Sequence, residues 1–126
     1  MFVGKRVYFI MKNYIAMNRF KIAIGREADF ENIWENRETY LDNVDGFQKF
    51  NLLKGQTNND YTLYTSHSTW DSKSDFENWK RSEAFRKAHS GGGEHQGIYL
   101  GHPEFEGFEV IPVSYTHLTL PTICSV

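Results

Sequence analysis

The 126 residues contain one cysteine, Cys124. A single thiol cannot close an internal bridge, so a disulfide-built secreted scaffold is excluded. No apolar run approaches the roughly 20 residues that a membrane-crossing helix needs. Nor is there an excess of charge: 14 basic against 16 acidic residues leave a formal charge of -2. That balance offers no electrostatic footprint for nucleic acid or a membrane surface. What the chain does have is apolar and aromatic. Hydrophobic residues make up 40% and aromatics 16%, the composition of one packed domain and not of a disordered chain.

Both ends depart from that pattern. Residues 1–10 begin like a leader, with Lys5 and Arg6 before an apolar stretch, but Lys12 interrupts the stretch and no small-residue cleavage site follows. Met11 stands just before the first convincing strand, so a start called too early is the expected origin of 1–10. From Val113 to Val126 there is no charged residue, and the cysteine lies there. The run Val-Ser-Tyr-Thr-His-Leu-Thr-Leu-Pro-Thr (113–122) reads as the in-frame translation of a transposon-type sequencing adapter. Residues 113–126 are therefore expected to be an artefact tail, and the domain is expected over 11–112. Trimming both ends removes Lys5, Arg6 and Cys124 but no acidic residue.

Within the domain, Tyr14–Ile22 is rich in strand formers. From Glu27 the period changes: Phe30, Ile33, Trp34, Leu41 and Val44 fall at helical spacing, and Asp45-Gly46 is expected to stop that helix. Phe47–Lys54 and Tyr61–Trp70 read as strands joined by Gly55–Asp60, whose composition is hairpin-loop chemistry. Ser72 with Asp75 is a capping pair opening a second helix through Phe76 and Trp79. Ser82 can cap a further turn carrying Phe85, Ala88 and His89, which Gly91–Gly93 would end. A last strand is expected from about Phe105 to Ile111. The order is a split βαβ repeat, so the predicted fold class is α+β, a ferredoxin-like βαββαβ with an antiparallel sheet. Helices on one face leave the other bare. In the 61–70 strand, Tyr61, Leu63, Thr65, His67 and Thr69 alternate with Thr62, Tyr64, Ser66, Ser68 and Trp70. Neither set is solvent-like, and a homodimer closing a shared barrel is expected.

Several tempting motifs fail on spacing. Gly91–Gly97 fits neither a dinucleotide fingerprint nor a Walker loop, and it follows a helix. His89, His95 and His102 lack a cysteine partner and compact zinc spacing. No nucleophile elbow is present. Three residues are harder to set aside. Asn18 is a polar amide in mid-strand, where Asn is disfavoured. Trp79 and His89 stand ten residues apart, a rotation about 80° short of full turns on one ideal helix, so only a break near Ser82 would let both reach one pocket. Taken singly, each has an ordinary reading: Asn18 at a bulge, Trp79 as core, His89 as a helix-end cation.

Tyr14–Phe20 (Tyr-Ile-Ala-Met-Asn-Arg-Phe), Trp70 with Ser72–Trp79, and Lys80–His89 (Lys-Arg-Ser-Glu-Ala-Phe-Arg-Lys-Ala-His) resemble the IsdG-type haem-degrading monooxygenases. These belong to the antibiotic-biosynthesis-monooxygenase superfamily of dimeric α+β barrels. Tyr99–Ile111 is similar to the end of proteobacterial members. The resemblance covers residues 13–111 and implies that the family's Asn, Trp and His fall on Asn18, Trp79 and His89. It implies a cytoplasmic homodimer that takes haem as both cofactor and substrate, with O2, an external electron donor and a reductase partner. His89 would be the axial ligand to haem iron. Asn18 would hydrogen-bond dioxygen at the iron, and Trp79 would press the porphyrin out of plane. Ring opening would then give a biliverdin-like tetrapyrrole and free iron. Two rivals stand beside it: a haem carrier or sensor without turnover, and a cofactor-free, quinone-forming monooxygenase of the same superfamily.

Overall fold

A computed structural model of the chain describes residues 12–88 and 97–113. Alternation along the first strand, β1 (Tyr14–Ala23), sets the architecture. Tyr14, Ala16, Phe20 and Ile22 are buried on one face, with Asn18 between them. Helix α1 (Glu27–Glu35) follows, then β2 (Phe47–Thr57), β3 (Tyr61–Trp70), helices α2 (Lys73–Lys80) and α3 (Glu83–Ala88), and β4 (Glu104–Glu109). All neighbouring strands are antiparallel, in the order β2-β3-β1-β4. This is the ferredoxin-like arrangement that the sequence predicts. No described helix is long and apolar enough to cross a membrane.

The inner face of the sheet carries two separate cores. At one end, Phe30 of α1 is fully buried among Phe20, Ile22, Tyr64 and Ile98. At the other, Phe76 of α2 packs with Tyr14, Ala16, Trp70 and the loop residue Leu41. Each helix thus covers one end of the same sheet face. Phe30 meets the rings of Tyr64 and Phe20 at 4.7 and 5.3 Å, so Phe30→Ala removes the centre of its cluster. Urea unfolding should show a loss of about 3–5 kcal/mol, as for other buried aromatics truncated to alanine. A loss below about 1 kcal/mol would contradict this packing.

Three expected boundaries move. Helix α1 ends at Glu35 and does not run on to Val44. The apolar stripe Phe30–Ile33–Trp34 finds only Arg37 and Glu38 one turn later, and Tyr40 and Asn43 have positive φ values of 59° and 67°. Leu41 is buried from a loop, in the cluster under α2. The second strand extends to Thr57, with a register shift between Lys54 and Thr57 that absorbs Gly55-Gln56 as a bulge. The turn shrinks to Asn58–Asp60, where the Asn58 side-chain oxygen accepts the N–H groups of Asp60 and Tyr61 at 2.7 and 2.8 Å. Strand β4 spans Glu104–Glu109, because its partner β1 begins at Tyr14, opposite Glu109.

Other local signals hold. The Asp75 N–H donates to Ser72 Oγ at 3.1 Å, the expected cap. Gly46, at φ 81°, lies where any Cβ would collide with the Asp75 side chain, so the Asp45-Gly46 turn is tied to the start of α2.

Candidate functional site

Between the two cores the sheet is uncovered by helix, and a cavity of about 860 Å³ opens there. That volume lies within the roughly 300–1,000 Å³ range of small-molecule sites. Its floor is the middle of β1 and β3. Asn18 stands opposite Ser66 in the strand register and opposite Phe105 on the other side. It therefore faces the cavity from the inner sheet face, in regular pairing and not at a bulge.

Trp79 forms part of the wall. It packs on Trp70 (5.6 Å between ring centres) and meets Phe85 edge-on at 4.8 Å. The break near Ser82 is present. The Ser82 hydroxyl donates to the Trp79 carbonyl at 2.6 Å and accepts the Phe85 N–H at 3.1 Å, ending one helix and capping the next. Both Trp79 and Phe85 consequently line the cavity. Trp79 is at once a core contact and a site residue. His89 and His95 lie outside the described residues; α3 ends at Ala88, immediately before His89 in the chain. His102 lines the cavity from the loop before β4. Among the described residues no cluster of His, Cys, Asp or Glu could hold a metal ion.

The lining has a second property that sequence reading did not foresee. Its walls are mostly aromatic, with Trp34, Phe50, Trp70, Phe76, Trp79 and Phe85 among the rings, and its charges come from Arg37 and Lys80; no described carboxylate lines it. In a chain with more acids than bases, that is a selective arrangement. The nearby carboxylates Glu31 and Glu35 line a separate, more open groove of about 510 Å³ that shares Trp34, Thr39 and Phe50 with the cavity. There Tyr64 donates to Glu31 at 2.5 Å and Lys54 pairs with it at 3.6 Å. Within the cavity, Arg37 lies over the Trp34 ring at 4.4 Å, and burial lowers its pKa against an opposing pull from Tyr99. Burial raises the pKa of the Tyr99 phenol, which Arg37 partly offsets. Lys80 stands over the rings of Phe76 and Phe105 at 5.3 and 5.7 Å, themselves stacked at 5.7 Å. An aromatic-walled pocket with cations and no carboxylate suits a broad, flat molecule bearing anionic groups.

Arg37, Lys80, Tyr99 and Ser66 escape motif reading because distant elements bring them together. Ser66 stands in the mixed alternate set of the third strand, and Lys80 and Tyr99 begin segments that carry the family resemblance, but nothing there marks any of them as a site residue.

The sequence profile of the antibiotic biosynthesis monooxygenase family matches residues 13–91. A heme-degrading monooxygenase of Bacillus cereus is 36% identical over 70 residues, 56% of this chain and 59% of the relative. The matched segment thus spans less than two thirds of the curated relative's length. The fold is shared with the heme-degrader MhuD of Mycobacterium tuberculosis, solved with two hemes bound in its active site. The TM-score there is 0.64 at 22% identity, covering 82% of this chain and 99% of that one. SnoaB, a cofactor-independent oxygenase from Streptomyces nogalater, gives a TM-score of 0.55 at 18% identity, covering 87% and 98%. At these identities the two structures speak to fold.

Proposed function

Since the chain belongs to the antibiotic biosynthesis monooxygenase family, we propose that it is a haem-degrading member, opening the porphyrin oxidatively with O2 and an external electron donor. The observation that carries this reading is the cavity itself: aromatic walls, Arg37 and Lys80 with no described carboxylate, and Asn18 on the floor with Trp79 in the wall. Haem is a broad apolar disc with two carboxylate groups, and this lining matches both properties. The curated relatives named heme-degrading monooxygenases support the same substrate.

Bound as substrate, haem supplies the iron that activates dioxygen and the meso carbons that are oxidised. The chain's own residues hold and orient it. His89, directly after α3 in the chain, would hold the haem iron. Asn18, on the cavity floor, would offer its amide N–H to the oxygen, and Trp79, in the wall, would pack on the porphyrin. Arg37 and Lys80 neutralise the carboxylates, and the aromatic walls exclude water. Electrons come from a reductase or small reductant, in a cytoplasmic setting, and the products are a biliverdin-like tetrapyrrole and iron.

The functional unit is a homodimer in this reading. No described helix packs on the outer sheet face, where the strand register places Ile15 and Met17 with His67 and Leu53. The His67 Nδ1 atom there is buried without a hydrogen-bond partner among the described residues, a state that a contact from a second copy would relieve.

One experiment tests the reading. Haem is loaded without oxygen and the complex is passed over a sizing column; air and ascorbate are then added. The expected result is haem eluting with a dimer, followed by loss of the Soret band and release of iron. A Soret band that survives turnover conditions unchanged would reduce the protein to a haem carrier. Absence of stoichiometric haem binding would favour a cofactor-free oxygenase, the reading that the fold shared with SnoaB keeps in view.

A further inference from the structure

The inner face of β3 carries three small hydroxyl residues, Thr62, Ser66 and Ser68, and two of them are already committed. The Thr62 hydroxyl donates to Glu27 at 2.7 Å. The Ser68 hydroxyl accepts the Trp70 indole N–H at 2.9 Å and donates to the Ala16 carbonyl at 3.4 Å. Ser66 is 7% exposed, lines the cavity, and makes no side-chain hydrogen bond to any described residue. Its cross-strand partner is Asn18, whose amide is equally uncommitted and faces the same cavity. Directly opposed side chains in an antiparallel pair have Cβ atoms about 4.5–5.5 Å apart, close enough for both to reach one ligand atom. Neither polar group is sealed from solvent, so both stay open to the cavity, and two adjacent uncommitted groups on its floor can be engaged together by one bound molecule.

We infer that the Ser66 hydroxyl is a second hydrogen-bonding group of the oxygen-reaction site, acting beside the Asn18 amide on the same ligand atoms. This rests on the haem reading above. The amide N–H can only donate, and its direction is set by the two torsions of a short side chain. The hydroxyl can donate or accept, so it can either add a bond to the bound oxygen species or hold the amide in its donating orientation. In both roles it narrows the direction in which oxygen points across the porphyrin, and so the carbon that is attacked. A purely spatial role for the small side chain makes a different prediction, because alanine would serve as well as serine.

The test uses ferric haem and azide, a small anion whose affinity for the iron responds to nearby hydrogen-bond donors. Ser66→Ala should bind haemin as tightly as the unsubstituted chain but bind azide roughly threefold to tenfold more weakly, the range of one lost neutral hydrogen bond. Ser66→Thr should recover most of that loss. In an Asn18→Ala background the effect of Ser66→Ala should change in size, because the two groups share a ligand. During turnover, Ser66→Ala should give a broader mixture of tetrapyrrole isomers. If Ser66→Ala takes haemin normally and its azide affinity and isomer ratio match the unsubstituted chain, the inference is overturned while the haem reading stands. If the unsubstituted chain takes no haemin, the haem reading fails and this inference fails with it.

Discussion

Replacing His89 by alanine is expected to abolish tight haem binding. If His89 is the single protein ligand to iron, its loss should cost more than the roughly 10–100-fold that removal of an outer partner costs a metal site. Haem titration followed by the Soret band should therefore show affinity weakened on the order of 10²-fold or more. The residual complex should carry the spectrum of haem with water or no nitrogen ligand. Added imidazole should restore the nitrogen-ligated spectrum, a rescue that a misfolded variant would not show. An unchanged spectrum and affinity would move the ligand elsewhere. His102, which lines the cavity from the loop before β4, would be the next residue to replace.

The second large effect separates binding from chemistry. Asn18→Ala should leave haem affinity within a few-fold, because a neutral amide supplies neither the iron ligand nor a charge for the carboxylates. Turnover with ascorbate should fall on the order of 10²-fold, the scale on which a preorganised donor at the reacting atoms acts. Asn18 has no packing duty that alanine would fail: its strand neighbours Ala16 and Phe20 belong to the two separate cores. The chemical denaturation midpoint should accordingly stay close to that of the unsubstituted chain. A large fall in both affinity and stability would return Asn18 to a structural role.

Local chemistry made much of this molecule readable before its structure. The Ser72 cap, the turn at Gly46 and the helix break at Ser82 each rest on residues within a few positions of one another, so the sequence carries them nearly whole. The helix expected through Val44 misled for a physical reason. Leu41 and Val44 stand at the right spacing for α1, but they serve the core under α2, and spacing does not say which core an apolar residue joins. The hairpin strands outran expectation because a bulge accommodates the Gly55-Gln56 pair that composition assigns to the turn. In the site, Asn18 and Trp79 were visible as residues out of character or in a family pattern. Ser66, Arg37 and Lys80 gain meaning only when register and tertiary packing bring them to one cavity.

The division of the apolar interior into two clusters has a consequence for how such a protein can change. Phe30 and Phe76 anchor separate halves, and the strip of sheet between them contributes little to holding either together. Substitutions on that strip are therefore cheap for folding and expensive only for chemistry. A lineage could exchange an amide or a hydroxyl there without first compensating a lost core. One scaffold could in that way come to serve both a heme-degrader and a cofactor-independent oxygenase, the two kinds of protein whose folds this chain shares.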